Sequence, residues 1–148
     1  MKFKLIIDEH QEESITIVSK KDDPVYEQIR KLISSKDSII VGYYNDEMKI
    51  INKEDIYYIN CEDKIYIYLK NEKYISKKRL YQLEELLDDN FIKINQSSIV
   101  NIKYIDKFRV SFSGTLEVVL KNGHTDYISR RQLKSVKERI GIVRWTNI

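Results

Sequence analysis

From residue 38 onward, short apolar runs alternate with polar breaks along most of the chain. Runs of this length, rich in Ile, Val and Tyr, predict β-strands. The predicted strands are 38–44, 48–52, 56–60, 64–69, 73–76, 91–94, 104–112, 115–121 and 125–128, and 99–101 forms a short apolar step. Between the last two strands, Asn122-Gly123 predicts a tight hairpin, because both residues tolerate a positive φ.

Three helices are predicted, the first two from apolar residues at helical spacing. The first helix is predicted to start at Pro24, with Asp23 as its N-cap. Its apolar positions are Val25, Ile29, Leu32 and Ile33. The second, over 78–88, is amphipathic. Its apolar positions are Leu80, Leu83, Leu86 and Leu87. The third, over 129–140, is short and basic.

The first 36 residues are predicted to form a small ββα unit, with strands at 3–7 and 14–19 before the first helix. We place the end of this N-terminal extension at residue 45. A main β-rich domain follows over 46–142, and 143–148 form a tail. The apolar face of the first helix supports two hypotheses: a dimerisation or regulatory docking element, or packing on the main domain.

Composition narrows the class of protein. The 148 residues are 42% hydrophobic and 33% charged, which is typical of a soluble globular protein. The single cysteine, Cys61, excludes an internal disulfide and a cysteine-based zinc site. No segment resembles a signal peptide or a membrane span, so we expect a cytoplasmic protein. No catalytic motif stands out, and the sequence predicts no enzyme activity, metal or cofactor.

Positive charge is concentrated in the second part of the chain. Residues 1–90 contain 15 Lys/Arg and 19 Asp/Glu, whereas residues 91–148 contain 11 Lys/Arg and only 4 Asp/Glu. A basic end of this kind suits a polyanion such as nucleic acid. The alternative is that these charges only keep the protein soluble and bind no partner.

Several segments, in this order, resemble a known family. FIKINQSSIVNIKYI (91–105) is similar to the signature of LytTR DNA-binding domains. Before it come DIYYIN, KIYIYL and the helix LYQLEELL, and after it come an Asn-Gly hairpin and ISRRQLKSVK. The resemblance covers roughly residues 46–140.

The resemblance implies an elongated, antiparallel, mainly β fold with one short amphipathic helix. It implies that loops, rather than a recognition helix, enter successive grooves of double-stranded promoter DNA. It also implies two copies bound to promoter repeats. The chain resembles the stand-alone type of regulator, without a receiver domain, and such regulators are often restrained by a small membrane protein.

Three loops are expected to meet DNA: the 63–64 region, 95–98 and 129–131. The candidates for base contacts are Arg131, Arg130, Gln96 and Lys64. Arginine pairs with the O6 and N7 of guanine, and glutamine pairs with adenine. The candidates for backbone contacts are Asn95, Ser97, Ser98, Lys93, Ser129 and Lys134. The second loop is less cationic than in most of the family, so affinity is expected to depend on the arginines.

Other interpretations remain beside this one. The alternative function is a non-catalytic protein–protein interaction module with a similar fold. The tyrosines of the strands, Tyr57, Tyr58, Tyr66 and Tyr68, could stack on bases, although packing on the sheet is favoured. Cys61 is expected as a buried or half-buried thiol rather than a redox switch. His124 is expected on the hairpin surface.

Overall fold

The structure, a computed structural model, describes residues 4–12, 16–37 and 39–141 and divides into two compact units, 1–36 and 37–148. In the first unit, helix α1 spans Pro24–Asp37. Asp23 Oδ1 accepts a hydrogen bond from the Val25 N–H at 2.9 Å, so Asp23 satisfies a free donor at the helix start as predicted. Within the first unit, Val25 is exposed and Ile29 is half-buried.

The two strands predicted in the N-terminal extension are not formed in the described part of it. Residues 4–8 and 16–19 have no regular structure, and Leu5, Ile7 and Val18 are exposed. Strand-like composition is insufficient here because these segments have no partner strand to satisfy their backbone groups. Phe3, residues 13–15, the side chains of Leu32 and Ile33, and residues 142–148 lie outside the described part.

A seven-stranded antiparallel sheet forms the centre of the second unit. Its strands are β1 (Ile40–Tyr44), β2 (Glu47–Ile51), β3 (Tyr58–Cys61), β4 (Ile65–Tyr68), β5 (Lys73–Ser76), β6 (Phe91–Asn95) and β7 (Ser98–Asn101). Their order across the sheet is β2-β1-β5-β4-β3-β7-β6. The predicted extension ended at residue 45, yet β1 is a member of this sheet and pairs with β5.

A second antiparallel sheet contains three strands in the order β10-β9-β8. These are β8 (Ile105–Val110), β9 (Leu116–Leu120) and β10 (Thr125–Tyr127). The remaining helices are α2 (Leu80–Leu86) and α3 (Arg130–Ile140), and short 3₁₀ turns span Lys53–Asp55 and Ile102–Tyr104. The Asn-Gly hairpin joins β9 to β10, with Gly123 at φ 87°.

The large sheet has a hydrophobic core on each face. One face packs on the small sheet and α3. The core between them includes Ile92 and Ile94 of β6 and Val136 of α3. The other face packs on α2, where Leu83 is fully buried among isoleucines. Alternate residues of β6 and β7 thus belong to different cores, as a pleated strand requires. Burial on both sides fixes the register of β3, β7 and β6, whose ends carry the predicted DNA loops.

Candidate nucleic-acid interface

The three loops predicted to meet DNA lie together at one end of the large sheet. The β3–β4 and β6–β7 loops are linked because the Cys61 N–H donates to the Ser97 carbonyl at 2.8 Å. The β10–α3 loop joins them through the Ser129 N–H, which donates to the Ile94 carbonyl at 2.9 Å. Backbone hydrogen bonds between loops hold them at a fixed spacing, which is what simultaneous contact with one rigid ligand requires.

A cluster of polar side chains, which we call the Asp126 network, lies beneath these loops. Its members are Tyr58, Asn60, Asn95, Ser98 and Asp126. Asp126 Oδ2 accepts from the Tyr58 hydroxyl and, at 2.5 Å, from the Ser98 hydroxyl, while its Oδ1 accepts from Asn95 Nδ2 at 3.4 Å. Asn60 Nδ2 donates to Tyr58 and Ser98, at 2.8 Å each. The network therefore connects β3, β6, β7 and β10.

Burial and the hydrogen bond to Asp126 raise the pKa of the Tyr58 hydroxyl. The hydroxyl consequently stays protonated and remains a donor to the carboxylate. Asn60 Oδ1 is buried and, within the described residues, has no hydrogen-bond partner. A polar cluster of this kind is favourable only in one arrangement, so it specifies where the loops sit.

The predicted arginines stand at the start of α3. Ser129 is the N-cap, and its hydroxyl accepts from the Gln132 N–H at 3.3 Å. Arg130 and Arg131 form the exposed first turn, and Lys134 follows on an exposed position one turn later. Val136 faces the core, so the basic residues of the first turns are left to solvent.

The remaining base-contact candidates are exposed at the neighbouring loops. Gln96 forms the tip of the β6–β7 loop, and Lys64 belongs to the β3–β4 loop. In that loop Asp63 accepts from the Tyr66 hydroxyl at 2.9 Å, which lowers the pKa of the Asp63 carboxyl. The structure thus brings Lys64, Gln96 and the two arginines to one end of the sheet.

The backbone-contact candidates are placed differently from one another. Asn95 and Ser98 are almost fully buried, with side chains already bonded within the Asp126 network. Ser97 is half-buried in the loop, where its N–H donates to Asn95 Oδ1 at 2.9 Å. Lys93 alternates with Ile92 and Ile94 on β6, so it projects to the sheet face opposite α3.

Several residues near the loops differ from the sequence-based expectation. His124 is half-buried rather than on the hairpin surface, with its ring 4.4 Å from that of Tyr58, because the hairpin folds back over the sheet. Cys61 is exposed, whereas a buried or half-buried thiol was predicted, because it lies at the last position of β3. The roles of Tyr58 and Asp126 were not predicted, and the β-branched and aromatic spacing of β3 gave no signal of a polar cluster.

The strand tyrosines pack within the protein. Tyr57 stacks on Tyr104 with ring centroids 3.8 Å apart, and Tyr58 lies against Tyr68. Lys73 Nζ lies 4.0 Å from the centre of the Tyr66 ring. These rings are therefore engaged by neighbours of the same chain, in agreement with the sheet-packing interpretation.

The described residues offer little support for a ligand pocket, a metal site or a membrane span. A shallow cavity of about 330 Å³ lies among the turn residues Lys70, Asn71 and Glu72 and the Tyr57–Tyr104 stack. In the described part of the chain, no group of three or more His, Cys, Asp or Glu side chains could hold a metal ion. Over the same residues, no helix is long and apolar enough to cross a membrane.

Known proteins resemble the chain in sequence and in structure. HTH-type transcriptional regulators from Staphylococcus aureus strains NCTC 8325 and COL are each 37% identical to it over 146 residues, covering 96% of this chain and 99% of theirs. The LytTr DNA-binding domain of a methyl-accepting/DNA response regulator from Bacillus cereus has the same fold. Its TM-score is 0.65 at 22% identity, covering 70% of this chain and 97% of that one.

The names of the staphylococcal relatives mention a helix-turn-helix, which is two helices joined by a short turn. Along residues 16–37 and 39–141, strands separate each helix from the next. The exposed candidate side chains therefore lie on two loops, with Lys64 and Gln96, and on the first turns of α3, with Arg130, Arg131 and Lys134, and not on a helical pair. The LytTr DNA-binding domain family matches residues 46–141. This chain belongs to that family.

Proposed function

We propose that the chain is a sequence-specific regulator of transcription that reads promoter repeats in double-stranded DNA through the loops between its strands. The observation that carries this proposal is that exposed Lys64 and Gln96, on two loops, lie at the same end of the sheet as Arg130 and Arg131 in the first turn of α3. Backbone hydrogen bonds tie these three segments together. Family membership and the names of its relatives support it.

Each candidate residue receives a role from its position. Arg131 and Arg130 present planar guanidinium groups that can pair with guanine, and the Gln96 amide can pair with adenine. Lys64, on the β3–β4 loop, contacts bases in a neighbouring groove. Lys134, Ser97, Ser129 and Lys93 supply phosphate contacts, which give affinity without sequence information. Asn95 and Ser98 are buried, and for them we propose a supporting role instead. They hold the β6–β7 loop in the position from which it contacts the DNA backbone.

The wider setting is also part of the proposal. The protein acts in the cytoplasm without catalytic activity or a cofactor, and two copies occupy neighbouring repeats. The N-terminal unit, residues 1–36, is a dimerisation element or a docking site for a small membrane-protein inhibitor. The staphylococcal regulators align with 96% of this chain and therefore share most of this unit.

The experiment is selection of bound duplexes from a random library, followed by binding measurements at several salt concentrations. We expect an enriched repeat, with affinity falling steeply as salt rises. Arg131→Gln should relax the preference at one base and cost about 1–3 kcal/mol. Lys121→Gln removes the same charge from the exposed β9–β10 hairpin and should change little.

Two results would contradict the proposal. One is the absence of an enriched sequence at low salt, which favours the protein-interaction module. The other is an equal loss in both variants, which indicates attraction to total charge without base readout.

A further inference from the structure

Within residues 39–141, no strand pairs with the outer edge of β2 in the large sheet. β2 is the terminal strand in the sheet order, and four of its five residues are exposed. Met48 is 72% and Ile50 69% exposed, although both are apolar. On the same face they stand opposite Tyr43 and Val41 of β1, so an apolar surface extends inward from the edge. An open edge with apolar side chains is a template for another strand.

The β1–β2 register shows which backbone groups are free. Tyr44 pairs with Glu47 across the two-residue loop Asn45-Asp46. Residues that flank such a loop exchange hydrogen bonds, and hydrogen-bonded pairs alternate along an antiparallel ladder. The N–H and C=O groups of Glu47, Lys49 and Ile51 therefore point to β1. Those of Met48 and Ile50 point outward from the sheet.

We propose that this edge pairs with the β2 strand of a second copy of the chain, antiparallel and centred on Met48. In this register Met48 of each chain faces Met48 of the other as a hydrogen-bonded pair. Glu47 then stands opposite the Lys49 of the other copy, twice by symmetry. These charge pairs occupy the positions that exchange no hydrogen bonds, where opposed side chains are closest.

Charge selects this register over its neighbours. Residues whose backbone groups point outward must pair with each other. The allowed registers are therefore those in which one residue of β2 faces its own copy in the other chain, and they differ by one residue in the position of this centre. A centre at Lys49 opposes two like charges, which is unfavourable. A centre at Ile50 places Lys49 opposite the apolar Ile51. Lys49 Nζ lies 3.3 Å from Glu72 of its own chain, on the inner side of β1, so Glu47 of the second copy would have to share or replace this partner.

The test is disulfide trapping of the full chain without DNA, in a Cys61→Ser background. Met48→Cys should form a covalent dimer under mild oxidation, since its two copies face each other. Ile50→Cys is the matched control: it is almost equally exposed, yet its two copies lie four residues apart, about 13 Å along the strand. We expect at least tenfold more dimer from Met48→Cys.

A second measurement uses sedimentation of the chain with no added cysteine. Glu47→Lys places like charges opposite each other and should weaken the dimer at least tenfold, whereas Glu54→Lys, an exposed acid outside β2, should not. Equal trapping at 48 and 50, preferential trapping at 50, or a monomer at all concentrations overturns the proposal. DNA plays no part in either measurement, so failure here leaves the proposed function untouched.

Discussion

The Asp126 carboxylate is the point at which the loop-bearing strands meet. It accepts hydrogen bonds from side chains of β3, β6 and β7. Hydrogen bonds to a charged, partly buried acceptor are stronger than neutral ones, and losing the charge leaves donors poorly satisfied. One side chain thereby sets the positions of two neighbouring loops.

Replacing Asp126 with Asn should therefore weaken both the fold and the interface. We expect the free energy of unfolding to fall by about 1.5–3 kcal/mol, because the amide cannot accept from all of its present donors. DNA affinity should fall as well, since the loops lose their fixed spacing. Urea denaturation and DNA titration measure the two effects. Asp106→Asn, at an exposed position, is the control, and similar losses in both variants would contradict the role of Asp126.

His124 should make stability depend on pH. Its burial against Tyr58 lowers its pKa from the ordinary 6.5, although Asp126 and Glu62 oppose that shift and Lys73 adds to it. Because the fold favours the neutral ring, the unfolded chain binds more protons below pH 6.5. The contribution is present in full above pH 6.5 and is lost as the pH falls through the lower, folded value.

His124→Gln should reduce this loss of stability between neutral and mildly acidic pH. The free energy of unfolding, measured by urea denaturation at several pH values, tests the expectation. His10→Gln, which replaces the chain's other histidine at an exposed position, is the matched control for the substitution itself. An unchanged profile in His124→Gln would show that other groups cause the loss.

At the scale of elements, local pattern and distant contacts explain different parts of the molecule. Nine of the ten strands after residue 38 and helices α2 and α3 were predictable from local pattern, because the spacing of apolar residues follows from which face is buried. The remaining strand, β7, was expected only as a short apolar step. Arg130 and Arg131 were expected in a loop at the start of a basic helix, and they form the exposed first turn of α3. The burial of Asn95 and Ser98 could not be predicted from local pattern, because it depends on hydrogen bonds to Asp126, about 30 residues further along the chain.

Gly42 shows how tightly the β1–β2 hairpin is attached. A Cβ at this position would lie 2.5 Å from Ile51 Cδ1 and 2.6 Å from Tyr74 Cβ. Gly42→Ala should therefore destabilise the domain by about 1–3 kcal/mol through overpacking. Thermal unfolding measures the change, with exposed Asp46→Ala in the same hairpin as control. A neutral result for Gly42→Ala would mean that the hairpin can move away from β5 at little cost.

At the scale of the whole molecule, the two units allow their roles to be separated. A chain that begins at Asp37 retains both sheets and all three loops. We expect it to bind DNA with the affinity of the full chain but to differ in assembly if residues 1–36 mediate docking. DNA titration and sedimentation of both chains provide the comparison. Loss of the fold without a change in assembly would argue that the first unit only supports the second.

The start of α3 has a further consequence. Arg130, Arg131 and Lys134 crowd positive charge at the end of a helix that is itself positive, and no acidic residue occupies the first turn. In the free protein these charges repel one another, and the phosphate contacts that we propose for this end of the helix would relieve the repulsion. We therefore expect bound DNA to stabilise the fold, so that the free protein unfolds more readily and is cleaved faster by proteases than the protein bound to DNA.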